Sequence, residues 1–255
     1  NIDPNIIKST SYGFKKTEKF RIKFLLESIS DLKKQLDKIN ISLVVKNEDL
    51  KSSINSVISK YKIDNIYIQK EWTRDELLEE ENIPSNVNLI KDFDQFLFSP
   101  SDVSGVYENI PRGFSNFRKK CEKLLSIDDI VPSPKPLSKT NLINEEYSIP
   151  SLSELGYEEF EVHKDSAFKF LGGETHGIDR VNEYFFESKN LSKYKLTRNG
   201  LLGKDYSSKI SSWLANGSLS VKYVYSQIKN YENTVEKNDS TYWLFFELIW
   251  RDFFK

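Results

Sequence analysis

ISLVVKNEDLKSSINSVISKYKIDNIYIQKEWTRDELLEEENIPSNVNLIKDF, residues 41–93, holds three short runs suited to strands, ISLVV (41–45), NIYIQ (65–69) and NVNLIKDF (86–93). Helix-patterned sequence separates them. Asn47, with Glu48 and Asp49 in the first turn, is placed to cap the first intervening helix, and Thr73 with Glu76 forms the T-x-x-E of a capping box before the second. Upstream, Ile22, Leu25, Ile29, Leu32 and Leu36 recur at steps of three and four, which predicts an amphipathic helix over 17–39. Strand and helix alternating at this spacing predict an α/β Rossmann-like open parallel sheet. The pattern opens on a helix where a doubly wound unit opens on a strand, so the first strand is expected to be missing. The chain contains no methionine and opens on Asn1-Ile2-Asp3-Pro4, which also reads as a piece of a longer protein.

The texture changes after about residue 99. VPSPKPL (131–137) carries three of the eight prolines, favouring extended surface backbone. From Ser166 onward the pattern is helical, with glycines marking the loops and no period-2 strand. The expected division is an α/β domain over 1–110, a connector over 111–165, and an all-α domain from 166 to 255. No apolar stretch reaches the ~20 residues of a membrane helix, and no signal peptide is visible, so a soluble intracellular protein is expected. Cys121 stands alone and the histidines are His163 and His176, which excludes an intrachain disulfide and leaves no zinc pattern. Lysines beside Cys121 would activate a thiol, but without a histidine at useful spacing the inert reading is favoured. A net charge of −1 excludes coating of nucleic acid by bulk charge.

Two stretches carry chemistry. Residues 189–209, KNLSKYKLTRNGLLGKDYSSK, set Lys189, Lys193, Lys195, Arg198, Lys204 and Lys209 against Asp205 alone. Ser207, Ser208 and Ser211 then precede a short apolar helix, an arrangement suited either to a pyrophosphate or simply to a serine N-cap beside a solvated basic face. The run STYWLFFELIWRDFFK (240–255) is apolar nearly all round yet holds Glu247, Arg251 and Asp252. At 100° per residue, Trp243, Glu247, Trp250, Arg251 and Phe254 share one face. They either line a cavity or form a Glu247–Arg251 ion pair among core aromatics.

FLGGETHGIDRVNEYFFESKNLSKYKLTRNGLLGKDYSSKISSWLANGSLS (170–220), followed by NDSTYWLFFELIWRDFF (238–254), resembles the flavin-domain signature of the DNA photolyase/cryptochrome family. DPNIIKSTSYGFKKTEKFRIKFLLESISDLKKQL (3–36) is similar to that family's antenna domain after its first strand. NIPRGFSNFRKKCEKL (109–124), TRNG, DYSSK and STYW resemble the DASH branch. The resemblance implies an all-α flavin-binding domain, truncated here, in which Tyr194, Ser207, Ser208, Lys209, Ile210 and Ser211 wrap FAD and Arg251 adds a charge. It also implies that Arg198, Glu247, Trp250 and Phe254 face DNA, with Glu247 and Trp250 the catalytic pair holding a flipped-out lesion. Glu71 falls where relatives hold an antenna such as 5,10-methenyltetrahydrofolate, and a solvated helix-start carboxylate is the alternative there. Ser212 stands where proline is common, and LSVKY where LSPR is usual. The implied activity is blue-light repair of cyclobutane pyrimidine dimers, preferring single-stranded DNA, by a cytoplasmic monomer. The alternatives are a photoreceptor with the same FAD and little repair, and an α/β nucleotide-binding module outside the family.

Overall fold

The computed structural model describes residues 1–255, the side chain of Ile6 excepted. Helix α1 spans Lys19–Lys38, α2 Leu50–Tyr61, strand β1 Asn65–Gln69, α3 Arg74–Glu80 and strand β2 Asn88–Asp92. The strands pair in parallel, Asn65 opposite Asn88 through Gln69 opposite Asp92, with α3 as the crossover. The alternating helices and parallel strands expected from 41–93 are therefore present.

Local details differ from the sequence reading. The segment 41–45 forms no strand. Its neighbour Lys46 accepts one backbone hydrogen bond, from Ile2 at 2.7 Å, and one bond is not a ladder. The β-branched residues there serve packing instead, since Val45 lies in a core with Ile2, Ile22, Leu26, Leu152, Leu155 and Tyr157. Asp49, not Asn47, caps α2, its carboxylate accepting from Ser52 N at 2.9 Å. Those hydrogen bonds from Ser52 hold the Asp49 carboxyl below its usual range. Thr73 occupies the cap position of α3 without a side-chain bond, so the capping box does not close. In α1 the buried line runs through Ile22 and Leu26, whereas Leu32 is 47% exposed.

The remaining elements are helical: α4 Pro100–Val106, α5 Phe114–Leu124, α6 Glu174–Asn182, a π-helical turn Glu183–Glu187, α7 Tyr194–Thr197, α8 Ser211–Asn216, α9 Val221–Thr234 and α10 Asp239–Phe254. An Asn238 cap opens α10 in a reciprocal box with Thr241, a pairing that a T-x-x-E template does not detect. Phe114, Phe117 and Cys121 form the buried stripe of α5, and Leu244, Leu248 and Ile249 that of α10. Gly177 in α6 has a packing reason: a Cβ there would stand 2.8 Å from Leu219 Cγ.

The chain divides into two compact units, one of residues 1–94 with 134–160, the other of residues 95–133 with 161–255. The 111–165 segment, expected as a connector, is thus shared between them. Its later part returns to the first unit through Leu137 N to Ile39 O at 2.9 Å, Ile143 N to Ser42 Oγ at 3.0 Å, and a 2.7 Å contact between the Tyr61 and Tyr147 hydroxyls. Its earlier part contributes α5 to the helical unit.

Candidate functional site

The serine-rich loop comes first in the chain. Ser208 is 6% exposed and Ile210 3%, while Ser211 is exposed at the first position of α8. None of the three serines caps that helix. Ile210 is the N-cap and has no acceptor to offer, so no side chain covers the first-turn N–H groups. Lys209 has φ +61° and is followed by Ile210 in the right-handed region, a backbone change that turns successive N–H groups to a common side. Among the described residues the hydroxyls of Ser207, Ser208 and Ser211 make no hydrogen bond, and Lys209 makes no ion pair. The segment therefore presents three hydroxyls, one ammonium and an uncapped helix start, a donor set fitted to an anion.

The second assembly joins α7 to α10. Arg198 Nη1 donates to Glu247 Oε1 at 2.6 Å, and both side chains are about 30% exposed. Glu247 pairs with Arg198 and not with Arg251, because Arg251 is held elsewhere. The Arg198 guanidinium lies 5.5 Å from the Trp243 ring centre and Lys195 Nζ 4.8 Å from it, while Trp243 stacks on Phe246 at 4.8 Å. Lys195 is anchored in turn by Asp239 at 3.0 Å. Tyr194, 7% exposed, sits beside this pair. Burial, reinforced by the negative charge of Glu247, pushes its phenol above its usual range, so it stays a neutral hydroxyl at physiological pH.

The single face expected on α10 is divided. Trp243 and Glu247 belong to the cluster just described. Trp250 stacks at 3.5 Å and 12° on Phe114 from α5, and at 5.2 Å and 17° on Phe254, which is 78% exposed. Arg251 donates to the carbonyls of Gln95 and Leu214, the latter at 3.2 Å, and burial lowers its pKa. The guanidinium assigned to a phosphate is thus engaged by backbone oxygens here. In the other unit, Glu71 follows β1 and accepts from the Gln69 amide, with Trp72 and Phe93 rings 6.1 Å apart nearby.

Phe114, Arg180 and the partners of Asp252 escaped the sequence reading. Phe114 was detectable from the 114, 117, 121 spacing, which marks the buried face of α5. Asp252 accepts from Leu97 N at 2.8 Å and Phe98 N at 2.9 Å, partners more than 150 positions away that no local pattern indicates. Arg180 of α6, buried to 1%, reaches the backbone of residues 204–208, and again the contact is nonlocal.

Comparison with known proteins shows the family to which the chain belongs. The family model described as DNA photolyase matches residues 2–137, more than half of the chain. The cryptochrome DASH of Gloeobacter violaceus is 39% identical over 258 residues, covering 99% of this chain and 51% of that protein. The cryptochrome DASH of Synechocystis is 36% identical over 259 residues, 99% of this chain and 53% of that protein. A solved cryptochrome structure from Synechocystis superposes with a TM-score of 0.91 at 35% identity, covering 99% of this chain and 53% of that one. An archaeal photolyase from Sulfolobus tokodaii shares the fold at a TM-score of 0.66 and 18% identity, over 99% of this chain and 50% of that one. The chain spans about half the length of these relatives. A small parallel sheet followed by a helical unit, matched by the family model and by relatives along nearly all 255 residues, shows that the chain belongs to the DNA photolyase/cryptochrome family, with cryptochrome DASH proteins among its relatives.

Proposed function

We infer that this chain supplies the phosphate loop of an FAD site and part of a DNA-facing wall, in a protein that uses blue light to split cyclobutane pyrimidine dimers and prefers single strands. The observation that carries the reading is the pairing of the two assemblies within one unit: a loop whose hydroxyls and Lys209 have no hydrogen-bond or ion-pair partner among the described residues, and an Arg198–Glu247 pair against Trp243. FAD, when bound, supplies the light-absorbing ring and the electron. The chain's residues have the remaining work of binding, orienting and excluding water.

Ser207, Ser208, Lys209 and Ser211 suit a pyrophosphate because hydroxyls and an ammonium offer donors and charge without a competing carboxylate. Asp205, the acid of that stretch, lies 3.3 Å from Arg180, which neutralises it. Tyr194, kept neutral, adds a packing surface and a hydroxyl. Glu247, oriented by Arg198, is the acceptor for the base edges of an extruded dimer, and Trp250 and Phe254 supply aromatic surface. A single strand is preferred because extruding a dimer from a duplex costs a few kcal/mol that a loose strand avoids. Glu71 remains the candidate contact for a folate antenna in the first unit. The same reading makes the protein a cytoplasmic monomer, which cell fractionation and size-exclusion chromatography of the native protein check.

The test of the phosphate loop is Ser207→Ala combined with Ser211→Ala in the full-length protein. Losing two neutral hydrogen bonds, each worth ~0.5–1.5 kcal/mol, should weaken FAD binding roughly fivefold to a hundredfold by fluorescence titration. Unchanged affinity would remove the loop from the flavin site. A second reading has its own support. Glu247 is already satisfied by Arg198 at 2.6 Å and Trp250 already stacked on Phe114 at 3.5 Å, which favours a photoreceptor that holds FAD and repairs little. Photorepair of a defined dimer separates the two.

A further inference from the structure

Arg180 is 1% exposed, and a guanidinium has five N–H donors, each costly to bury without an acceptor. All five are used. Nε donates to Ser208 O at 2.9 Å; Nη1 to Glu183 Oε2 at 3.0 Å and Asp205 Oδ1 at 3.3 Å; Nη2 to Lys204 O at 2.8 Å and Ser207 O at 3.2 Å. The rings of Phe170 and Tyr184 each lie 4.8 Å from the guanidinium carbon and fix its plane. Glu183 opens the π-helical turn after α6 and also accepts from Lys204. Burial pushes its carboxyl up, but the bonds from Lys204 and Arg180 outweigh that and hold it below its usual range.

Four of the five acceptors belong to residues 204–208. That loop has little else to shape it, since among the described residues no backbone–backbone hydrogen bond involves residues 201–209. A trans peptide points its C=O and the following N–H in opposite directions. Carbonyls of Lys204, Ser207 and Ser208 aimed at Arg180 therefore direct the N–H groups of Asp205, Ser208 and Lys209 away from it. The left-handed backbone of Lys209 then leads into the uncapped start of α8.

We propose that Arg180 is the positioning residue of the cofactor-phosphate loop: one buried side chain turns the loop's carbonyls inward and so aims its N–H groups and hydroxyls at a dinucleotide pyrophosphate. The proposal rests on the FAD reading above. Lysine, with three donors and no plane, cannot reproduce the five-bond pattern.

The experiment compares FAD with riboflavin, which carries the same ring and no phosphate, on the full-length apoprotein with Arg180→Lys, Arg180→Gln and the Ser207→Ala/Ser211→Ala pair. Amide hydrogen exchange over 201–211 is followed alongside. Arg180→Gln should weaken FAD roughly tenfold or more, the loss of charge-assisted bonds, with riboflavin affinity unchanged and exchange accelerated in the loop. Arg180→Lys should lie between it and the parent, and it keeps the test open if the glutamine variant does not fold. Equal loss of FAD and riboflavin would make Arg180 merely structural and overturn the proposal. If the serine variant lowers FAD against riboflavin and neither Arg180 variant does, the positioning role is wrong while the phosphate loop stands. If no variant changes that ratio, the loop is not the phosphate site and both ideas fall.

Discussion

Glu247 and Arg198 meet across 49 positions of sequence, and their 2.6 Å contact sets a carboxylate and a guanidinium together beside the Trp243 ring. Glu247→Gln preserves the size and one acceptor but removes the charge. A hydrogen bond to a charged group contributes about 1.5–3 kcal/mol, so repair by the full-length protein should fall roughly tenfold to a hundredfold with flavin content unchanged. Flavin loss before any change in repair would show the residue to be a core ion-pair partner. Cys121 gives a separate check. It is fully buried, and burial, with the negative charges of Asp252 and Glu122 adding to it, pushes its thiol up to about 11. Alkylation by iodoacetamide at pH 8 should be negligible in the folded chain and complete in urea. Fast labelling under native conditions would contradict the packing of α5. At this scale the sequence revealed residue types more readily than partners. Glu247 and Arg251 suit an i,i+4 pair, yet Arg198 and the Gln95 and Leu214 carbonyls take them, because nonlocal packing offers better-placed partners than the helix face does.

Helix α10 shows what a helix needs beyond propensity. Its Asn238 cap, accepting from Ser240 N at 2.8 Å and Thr241 N at 3.2 Å, fixes the start, and its apolar sides are covered by α5 and by α7 and α9. Phe114 is 7% exposed and stacks on Trp250, so Phe114→Ala should destabilise the chain by about 3–5 kcal/mol, read as a lowered urea midpoint at constant slope. A cost below about 1 kcal/mol would mean the stack is loose enough to open for a base. Strands β1 and β2 were legible because each run is short, β-rich and bounded by polar residues. The 41–45 run has the same composition and forms no strand, since composition reports burial and a strand also needs a ladder partner. The serine loop was legible as a candidate anion site by residue type, but Arg180, the buried side chain bonded to its carbonyls, lies on another helix and leaves no local signal.

For the molecule as a whole, the two-part organisation was readable from periodicity, whereas the route of the chain was not. Residues 134–160 rejoin the first unit through individual hydrogen bonds and a few buried side chains. Acid response is a global property set by a few buried groups. Burial raises the Asp252 carboxyl from 3.8 to about 6 against the pull of the Phe98 and Leu97 N–H groups and Arg251. The folded chain therefore holds that proton more tightly than the unfolded chain. Its contribution falls as pH rises from 3.8 to about 6 and is constant above, each tenfold difference in proton affinity between the folded and unfolded chains being worth roughly 1.4 kcal/mol. Glu183 works the other way, its contribution being lost as pH falls below the ordinary glutamate value of 4.5. Urea melts of the parent chain and Asp252→Asn between pH 4.5 and 7 should differ in slope, with the variant lacking the fall toward pH 6. Identical slopes would place the Asp252 titration outside that window.

The proposed light-driven repair at a site built from these residues is read directly as dimer loss. The full-length, flavin-loaded and reduced protein is mixed at fixed salt with matched single- and double-stranded oligonucleotides carrying one cyclobutane dimer, in blue light and in darkness. Dimer loss is expected under light alone, faster on the single strand, and reduced by Glu247→Gln at unchanged flavin content. Stoichiometric flavin with no light-dependent dimer loss on either substrate would contradict it and leave the photoreceptor reading in its place.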